Sequence, residues 1–482
     1  MREPLVIVGA GPVGSLLALT LARRGFDIEM YERRPDLRRE KLVGGRSINL
    51  ALSTRGIHAL ERVGMEEALL AEAIPMYGRM MHAVDGTLTF QRYGTDDSQF
   101  INSLSRGGIN ARLLTGAEAS QQQGGGRVRI HFEHRLLDYD FRTFQATFHD
   151  EASGGIVEVH APIIFGTDGT GSALRGPLQQ ITGGVCRLDR LDAGYKELTM
   201  PPALGEGMGP DGRFQLEPNA LHIWPRGRHM LIALPNPDGN FTCTLFLPFT
   251  TRDGGPSFDK LTRADQVEAF FQQEFPDALV RIPHLGRAFE TAPLGQMVTV
   301  HSWPWSHGCS LLLGDASHGI VPFFGQGMNA GFEDVAILDE QLGAVLETVT
   351  PDAVPWAELF ASFAENRRED ALAIAELAVG NFEEMRDHVG DPHFLLQKAV
   401  EVELLRRYPG RAVGRYGLVT FSRAPYRVAR DAGLLMDGVL QVLCEGKTRL
   451  EEIDFAEAER LLETQVVPRL EQWGIAPQTE QP

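Results

Sequence analysis

Leu5-Val6-Ile7-Val8-Gly9-Ala10-Gly11-Pro12-Val13-Gly14 is the stretch that decides the fold. Four apolar residues in a row suit a strand buried on both faces, and three glycines then follow in the spacing Gly-x-Gly-x-x-Gly. From Val13 to Arg24 small and apolar residues recur at helical spacing, and Phe26 to Tyr31 makes a second strand ending at Glu32, 18 positions after Gly14. In such a strand–turn–helix the first glycine permits the tight turn. The second lets the backbone approach a pyrophosphate, and the third lets the helix pack closely on its strand. Unpaired N–H groups at the helix start favour the phosphate charge, and Glu32 is placed to accept hydrogen bonds from a ribose. A bare Gly-x-Gly-x-x-Gly is weak evidence, but the two strands and the acidic residue together point to dinucleotide binding.

Outward from this unit, Ser53 can cap a helix whose apolar face includes Ile57, Leu60 and Val63 and which stops near Gly64. Arg79 to His82 and Thr87 to Phe90 flank Val84-Asp85-Gly86 and predict a hairpin. Asn110 to Ala119 reads as a short helix, Gln121 to Gly126 as a surface turn, and Phe141 to Phe148 and Gly155 to His160 as two strands. Ala161 to Phe165 leads into Gly166-Thr167-Asp168-Gly169. Pro201 to Gly212 is a Pro/Gly-rich loop, after which Leu221 to Trp224, Met230 to Leu234 and Phe241 to Phe246 read as strands. Leu311 to Leu313 is a further buried strand, a long helix starts near Asn329, and from Trp356 onward the pattern is helical, broken between Pro409 and Gly417.

Composition narrows the function classes. The 482 residues are 43 % hydrophobic and 23 % charged, which excludes a disordered chain and supports a sizeable core. Lys and Arg number 46 against 64 Asp and Glu, and the net charge of −18 opposes non-specific attraction to nucleic acid or to an anionic membrane face. Cys186, Cys243, Cys309 and Cys444 are too scattered for a local zinc cluster and too few for a disulfide scaffold. No signal peptide and no 18-residue apolar run is visible, so the expectation is a cytoplasmic protein without stable membrane attachment. No metal-ligand cluster and no Ser–His–Asp or Cys–His motif presents itself.

The glycine turn alone does not separate FAD from NAD. Leu313-Gly314-Asp315-Ala316 puts a carboxylate at the end of a buried strand, where it can meet a ribityl or ribose hydroxyl, and Gly325-Gln326-Gly327 precedes a helix start that offers N–H groups to a flavin. Asp168-Gly169 is a comparable strand-end turn. Taken singly, Asp315 could be a helix cap and Asp168 a turn former.

The set Gly9/Gly11/Gly14, Asp168-Gly169 and Gly314-Asp315 resembles the three fingerprints of the single-component FAD-dependent aromatic hydroxylases. Longer blocks resemble the kynurenine 3-monooxygenase family within it: Gly45 to Ser53, Ile74-Pro75-Met76, Leu221 to Arg226 and His318 to Asp334. The likeness runs from the first strand to about Tyr426. It implies an α/β fold: an FAD-binding, glutathione-reductase-like Rossmann core with a sheet-rich substrate-domain insertion and a helical C-terminal region. The FAD domain is expected in three parts, 1–72, 98–172 and 291–365. A substrate-domain hairpin is expected at 73–97, the sheet-rich substrate domain at 173–290, and helices closing the substrate site at 366–482.

The resemblance implies tightly but non-covalently bound FAD, transient NADPH, and O2-dependent hydroxylation of L-kynurenine to 3-hydroxy-L-kynurenine through a flavin C4a-hydroperoxide, a step of tryptophan catabolism. The alternative is a related hydroxylase acting on another amino-bearing aromatic acid. For FAD the implied residues are Gly9, Gly11, Gly14, Glu32 at the adenosine ribose, Arg46 on a flavin-side segment, Arg106, Asp168 and Asp315. Gly325, Gly327, Met328 and Asn329 are implied near the isoalloxazine. For substrate they are Arg79, Tyr93 and Tyr416 on the carboxylate, with Asn381, Glu384 and Met385 on one helical face that also carries His388. His318, Phe323, Phe324 and Gln326 are assigned to the reaction, on the loop between flavin and substrate, with His318 either a base or a loop anchor. Trp224 and Phe246 line the opposite wall or are core. After Tyr426 the sequence departs from animal members, whose tail carries a membrane-anchoring apolar segment, whereas Asp431 to Pro482 is charged and amphipathic.

Overall fold

The computed structural model describes residues 3–39, 49–94, 97–205, 207–209, 212–384 and 391–475. The chain divides into two compact units. The first comprises Met1–Ile74, Asn102–Leu191 and Gln296–Ala371, and the second Pro75–Ile101, Asp192–Gly295 and Leu372–Pro482.

The first unit is built on a six-stranded sheet in the order Ser306–His307, Ser310–Leu312, Ile164–Gly166, Leu5–Val8, Ile28–Tyr31, Val128–His131. All its pairings are parallel except that of the Ser306–His307 edge. The central strand is buried along its whole length, which is why it reads as an unbroken apolar run. Helix Pro12–Arg23 packs beside helices Arg106–Ala119 and Gly327–Leu346, and Leu16, Leu17, Leu113, Leu114, Phe332 and Leu338 share one core with Ile7. Asn110 begins the expected helix too late. The helix starts at Arg106, capped by Ser105, whose Oγ accepts from Gly108 N at 3.3 Å; Gly107 and Gly108 disguised its first turn. Phe141 to Phe148 is likewise not one strand. Asp140 Oδ1 accepts from Arg142 N at 2.8 Å, and this turn separates strand His134–Asp140 from Gln145–Asp150.

The second unit holds most of a seven-stranded sheet in the order Gly295–Trp303, Val185–Met200, Phe241–Pro248, His229–Pro235, Ala220–Arg226, Gly78–His82, Leu88–Arg92. The hairpin predicted around Val84-Asp85-Gly86 is present, with Arg79 opposite Gln91. Thr87 N donates to Asp85 Oδ1 at 2.9 Å to close its turn. Helices Pro392–Arg407, Arg415–Thr420 and Tyr426–Cys444 follow in this unit, as the helical texture beyond Trp356 predicts. Among the described residues no helix is long and apolar enough to cross a membrane.

Candidate cofactor cradle and carboxylate anchor

The glycine turn of the first unit is shaped by what its neighbours forbid. Gly9 has φ +98°, and a Cβ there would lie 2.6 Å from the Thr167 carbonyl oxygen; one at Gly14 would strike the Gly9 carbonyl and Thr167 Oγ1. Gly11 is different, because a Cβ there meets nothing within 4 Å. Open space thus lies where a pyrophosphate would approach. Helix Pro12–Arg23 opens on it with no side-chain cap and no acidic residue in its first turn, so its first N–H groups remain to be satisfied. Glu32 reaches the turn as its spacing predicts: Oε2 accepts from Ala10 N at 2.8 Å and Oε1 from Arg34 N at 3.0 Å. On the opposite side Asn110 Nδ2 donates to Ala10 O at 2.8 Å, and Ser15 Oγ donates to Asn110 Oδ1 at 2.8 Å. Asn110 carries no sequence signal beyond its place in a helix.

Asp168 and Asp315 end neighbouring strands of the same sheet. Asp168 Oδ2 accepts from Ala173 N at 2.6 Å, whereas Oδ1 is buried without a partner, and burial pushes this carboxyl up. Asp315 is reached by solvent, with protein packed around its carboxyl. Its enclosure pushes the carboxyl up against the opposing charges of Arg106 and His318, with Asp334 adding to the rise. An open glycine turn, a bare helix start with Glu32 beside it, a buried Asp168 oxygen without a partner and the strand-end Asp315 fit an FAD.

The loop from His318 to Asn329 departs from expectation in two side chains. His318 is buried, and its Nε2 faces Asp334 Oδ2 at 2.7 Å, so it is bound into the protein rather than presented as a base. Burial alone would raise Asp334, but His318 and Arg367 hold it well below the usual carboxylate range. Asn329 is fully buried: Oδ1 accepts from Ser53 N at 2.9 Å, while Nδ2 donates to Ala51 O at 2.8 Å and Gly325 O at 3.0 Å. Its amide clamps the loop to strand Asn49–Leu52, leaving only its backbone N–H, with those of Gly327 and Met328, at the start of helix Gly327–Leu346 for a ligand. Gly325 takes φ +66° at the end of the Pro322–Phe324 turn. Phe324 and Gln326 are buried and Phe323 half-buried.

In the second unit Arg79, Tyr93 and Tyr416 come together. Tyr93 lies two residues beyond Gln91, the cross-strand neighbour of Arg79, and therefore on the same face. Tyr416 comes from helix Arg415–Thr420. The Arg79 Cζ sits 5.5 Å from the Tyr93 ring centroid and 5.0 Å from that of Tyr416, and the two rings stack at 5.3 Å and 13°. Arg79 Nε and Tyr93 Oη are buried without hydrogen-bond partners, and among the described residues no carboxylate pairs with this guanidinium. Burial pushes both phenols up despite the nearby Arg79 charge, keeping them neutral.

The other substrate-side residues have partners within the protein. Trp224 is fully buried, donates from Nε1 to Asp277 Oδ1 at 2.8 Å and stacks on His82 at 4.0 Å, which favours the core alternative over the wall. Phe246 is buried in the same sheet, tilted against Tyr195 at 6.1 Å. Glu384 pairs with Lys398 at 3.3 Å, which turns its carboxylate to a protein cation rather than a ligand. Asn381 is half-buried near the end of helix Trp356–Glu383. Arg46, Met385 and His388 lie outside the described residues. Among the described residues no group of His, Cys, Asp and Glu could hold a metal.

Comparison with known proteins bears on both units. Residues 2–193 and 257–369 match the FAD binding domain family. The chain is 49 % identical to the kynurenine 3-monooxygenase of Myxococcus xanthus over 480 residues, covering 99 % of each. To that of Xanthomonas campestris pv. campestris it is 44 % identical over 465 residues, 96 % of this chain and 97 % of the other. Among solved structures, 2-methyl-3-hydroxypyridine-5-carboxylic acid oxygenase superposes with a TM-score of 0.60 at 18 % identity, over 83 % of this chain and 96 % of its own. Pseudomonas aeruginosa PqsL in complex with 2-aminobenzoylacetate gives 0.57 at 17 %, over 80 % and 96 %. At such identities the structures speak for the fold alone. The near-full-length likeness at 49 % and the FAD-domain match carry the assignment: the chain belongs to the kynurenine 3-monooxygenase family of FAD-dependent aromatic hydroxylases.

Proposed function

We infer that the protein hydroxylates L-kynurenine at the ring carbon ortho to the aniline nitrogen, using FAD, NADPH and O2. In balance, kynurenine, NADPH, a proton and O2 yield 3-hydroxy-L-kynurenine, NADP+ and water. When bound, FAD would supply the hydride-accepting and O2-activating chemistry. The chain's residues bind, orient and exclude water. In the first unit the Gly9–Gly14 turn and the start of helix Pro12–Arg23 hold the pyrophosphate, Glu32 the adenosine ribose, and Asp315 with Arg106 the middle of the FAD. Backbone N–H groups of Gly327 to Asn329 would be available to the flavin, and Phe323 and Phe324 would keep water from it. The second unit is the substrate-binding unit, with Asn381 as a further polar contact. The protein works in the cytoplasm, where NADPH is supplied and its four cysteines, all free, stay reduced.

The observation that carries this reading is Arg79. A guanidinium enclosed by protein, with a buried Nε lacking a partner and two neutral phenols beside it, is costly unless an anion completes it. Its planar fork matches a carboxylate with two parallel charge-assisted bonds, and the phenols can donate to the same oxygens. A substrate carrying an α-amino-acid end fits this anchor. Arg79→Met keeps much of the stem but strands the carboxylate, which costs roughly 2–5 kcal/mol, about 30-fold to several-thousand-fold in kynurenine affinity. Arg79→Lys is also poor, because a point charge does not reproduce the fork. Anaerobic titration of kynurenine into FAD-loaded protein decides it: a folded Arg79→Met variant with parental affinity contradicts the assignment.

A further inference from the structure

The Asp334 carboxylate, fully buried on helix Gly327–Leu346, is shared among three donors from two other segments. Oδ2 accepts from Gly314 N at 2.9 Å and meets His318 Nε2 at 2.7 Å, and Oδ1 accepts from Arg367 Nε at 2.8 Å. Gly314 and His318 bracket the turn Asp315–His318. One carboxylate from elsewhere in the unit therefore ties down both ends of the segment that carries Asp315. The ties extend outward. Arg367 pairs with Glu333 at 2.7 Å and donates to Ala330 O at 3.3 Å, and Glu333 pairs in turn with the buried Arg55. Within the turn Ser317 Oγ donates to Gly314 O at 2.9 Å, and Ser302 Oγ holds Ser317 O at 2.7 Å. Asp315, at the centre of this frame, accepts no hydrogen bond from a described residue and is reached by solvent. The frame leaves its central carboxylate for a ligand.

We propose that Asp334, with His318 and Arg367, is a positioning device that sets the Asp315 turn for FAD, none of the three touching the cofactor. The inference rests on the reading of the first unit as the FAD unit. It gives His318 a role different from a base: its Nε2 is taken up by Asp334, and its ring packs 5.2 Å from that of Trp305. Losing one charge-assisted tie lets the turn sample orientations in which Asp315 misses its ligand, so the effect falls on FAD affinity and on the flavin's surroundings. Kynurenine recognition at Arg79 is left alone.

Apoprotein of the parent and of the His318→Phe, Arg367→Met, Arg367→Lys and Asp334→Asn variants is titrated with FAD by flavin fluorescence, and the absorption spectrum of each bound flavin is recorded. His318→Phe keeps the ring against Trp305 and removes only the donor. We expect His318→Phe and Arg367→Met to weaken FAD binding about 10- to 100-fold with a shifted flavin band, Arg367→Lys to recover part of the loss, and kynurenine affinity at saturating FAD to stay within about twofold. Should Asp334→Asn not fold, the His318 and Arg367 variants decide. Folded variants with lower thermal midpoints but parental FAD affinity and spectrum overturn the proposal. A parent apoprotein that binds no FAD removes the FAD reading together with it, and is told apart from the previous result by the parent titration alone.

Discussion

At the scale of the residue, what matters is which polar atoms the protein leaves for others. Tyr93 and Tyr416 are pushed up by burial, Tyr93 well above 10, so both remain hydrogen-bond donors across the working pH range. Tyr93→Phe and Tyr416→Phe each remove one donor to the carboxylate and are expected to weaken kynurenine binding by about 1 kcal/mol, roughly fivefold, without altering FAD retention. Both phenols titrate above the ordinary tyrosine value, so binding to the parent is flat around neutral pH as far as they are concerned; a lost step on making either Phe variant contradicts their neutral state. A second buried residue makes stability depend on pH. His222 Nε2 donates to Glu217 O and its Nδ1 meets His82 Nε2, at 2.8 Å each, and burial lowers it to about 4 from 6.5. Between those values the unfolded chain binds the extra proton and the folded one does not, so stability is lost as pH falls from 6.5 towards 4, by about 3 kcal/mol. Denaturant midpoints at pH 7 and pH 4.5 check this: a His222→Gln variant has the shallower pH dependence, and an equal slope in both proteins would falsify the account. Composition gave no hint of either behaviour. A tyrosine or histidine looks the same in sequence whether its neighbours are water or a buried ring.

At the scale of the element, the strand–turn–helix at the amino end separates two glycines by what surrounds them. Gly9 sits at φ +98° against the Thr167 carbonyl, so Gly9→Ala strains the turn itself and lowers the thermal midpoint. Gly11→Ala meets no protein atom within 4 Å, and the new methyl enters only the space kept for the pyrophosphate. Its thermal midpoint as apoprotein is expected within about 1 °C of the parent, while FAD affinity falls by roughly tenfold or more. Equal losses of stability in the two apoproteins would show that Gly11 is merely a turn former. This element was readable from residues alone because its whole logic is local: apolar run, glycine spacing, helical period, acidic end. The turn after Asp140 was lost for a local reason too, since Phe141 and Phe144 mimic an apolar strand while the Asp140 carboxylate folds the chain back. Asp334 could not have been found that way. Its three donors come from positions 314, 318 and 367, and only the fold brings them to one carboxylate.

At the scale of the whole molecule, the proposed reading gives each unit a different half of the chemistry. The first has an open glycine turn and the strand-end Asp315, and the second a guanidinium whose buried Nε lacks a partner. Family likeness named Arg79, Tyr93 and Tyr416 together, and the fold brings these three side chains into contact. Of the two alternatives for Trp224 its partners favour core, the indole being spent on Asp277 and His82, and the Glu384 carboxylate is spent on Lys398. Motif matching records which residue types stand where, and it is blind to partners already taken. The central claim is that these halves serve one oxygen transfer to kynurenine. It is tested most directly by mixing FAD-loaded protein with limiting NADPH, excess L-kynurenine and O2, then measuring product by mass and ring position against NADPH consumed. The account predicts close to one 3-hydroxy-L-kynurenine per NADPH, with little hydrogen peroxide. NADPH oxidation that yields hydrogen peroxide and leaves kynurenine unchanged, at saturating kynurenine, would contradict it.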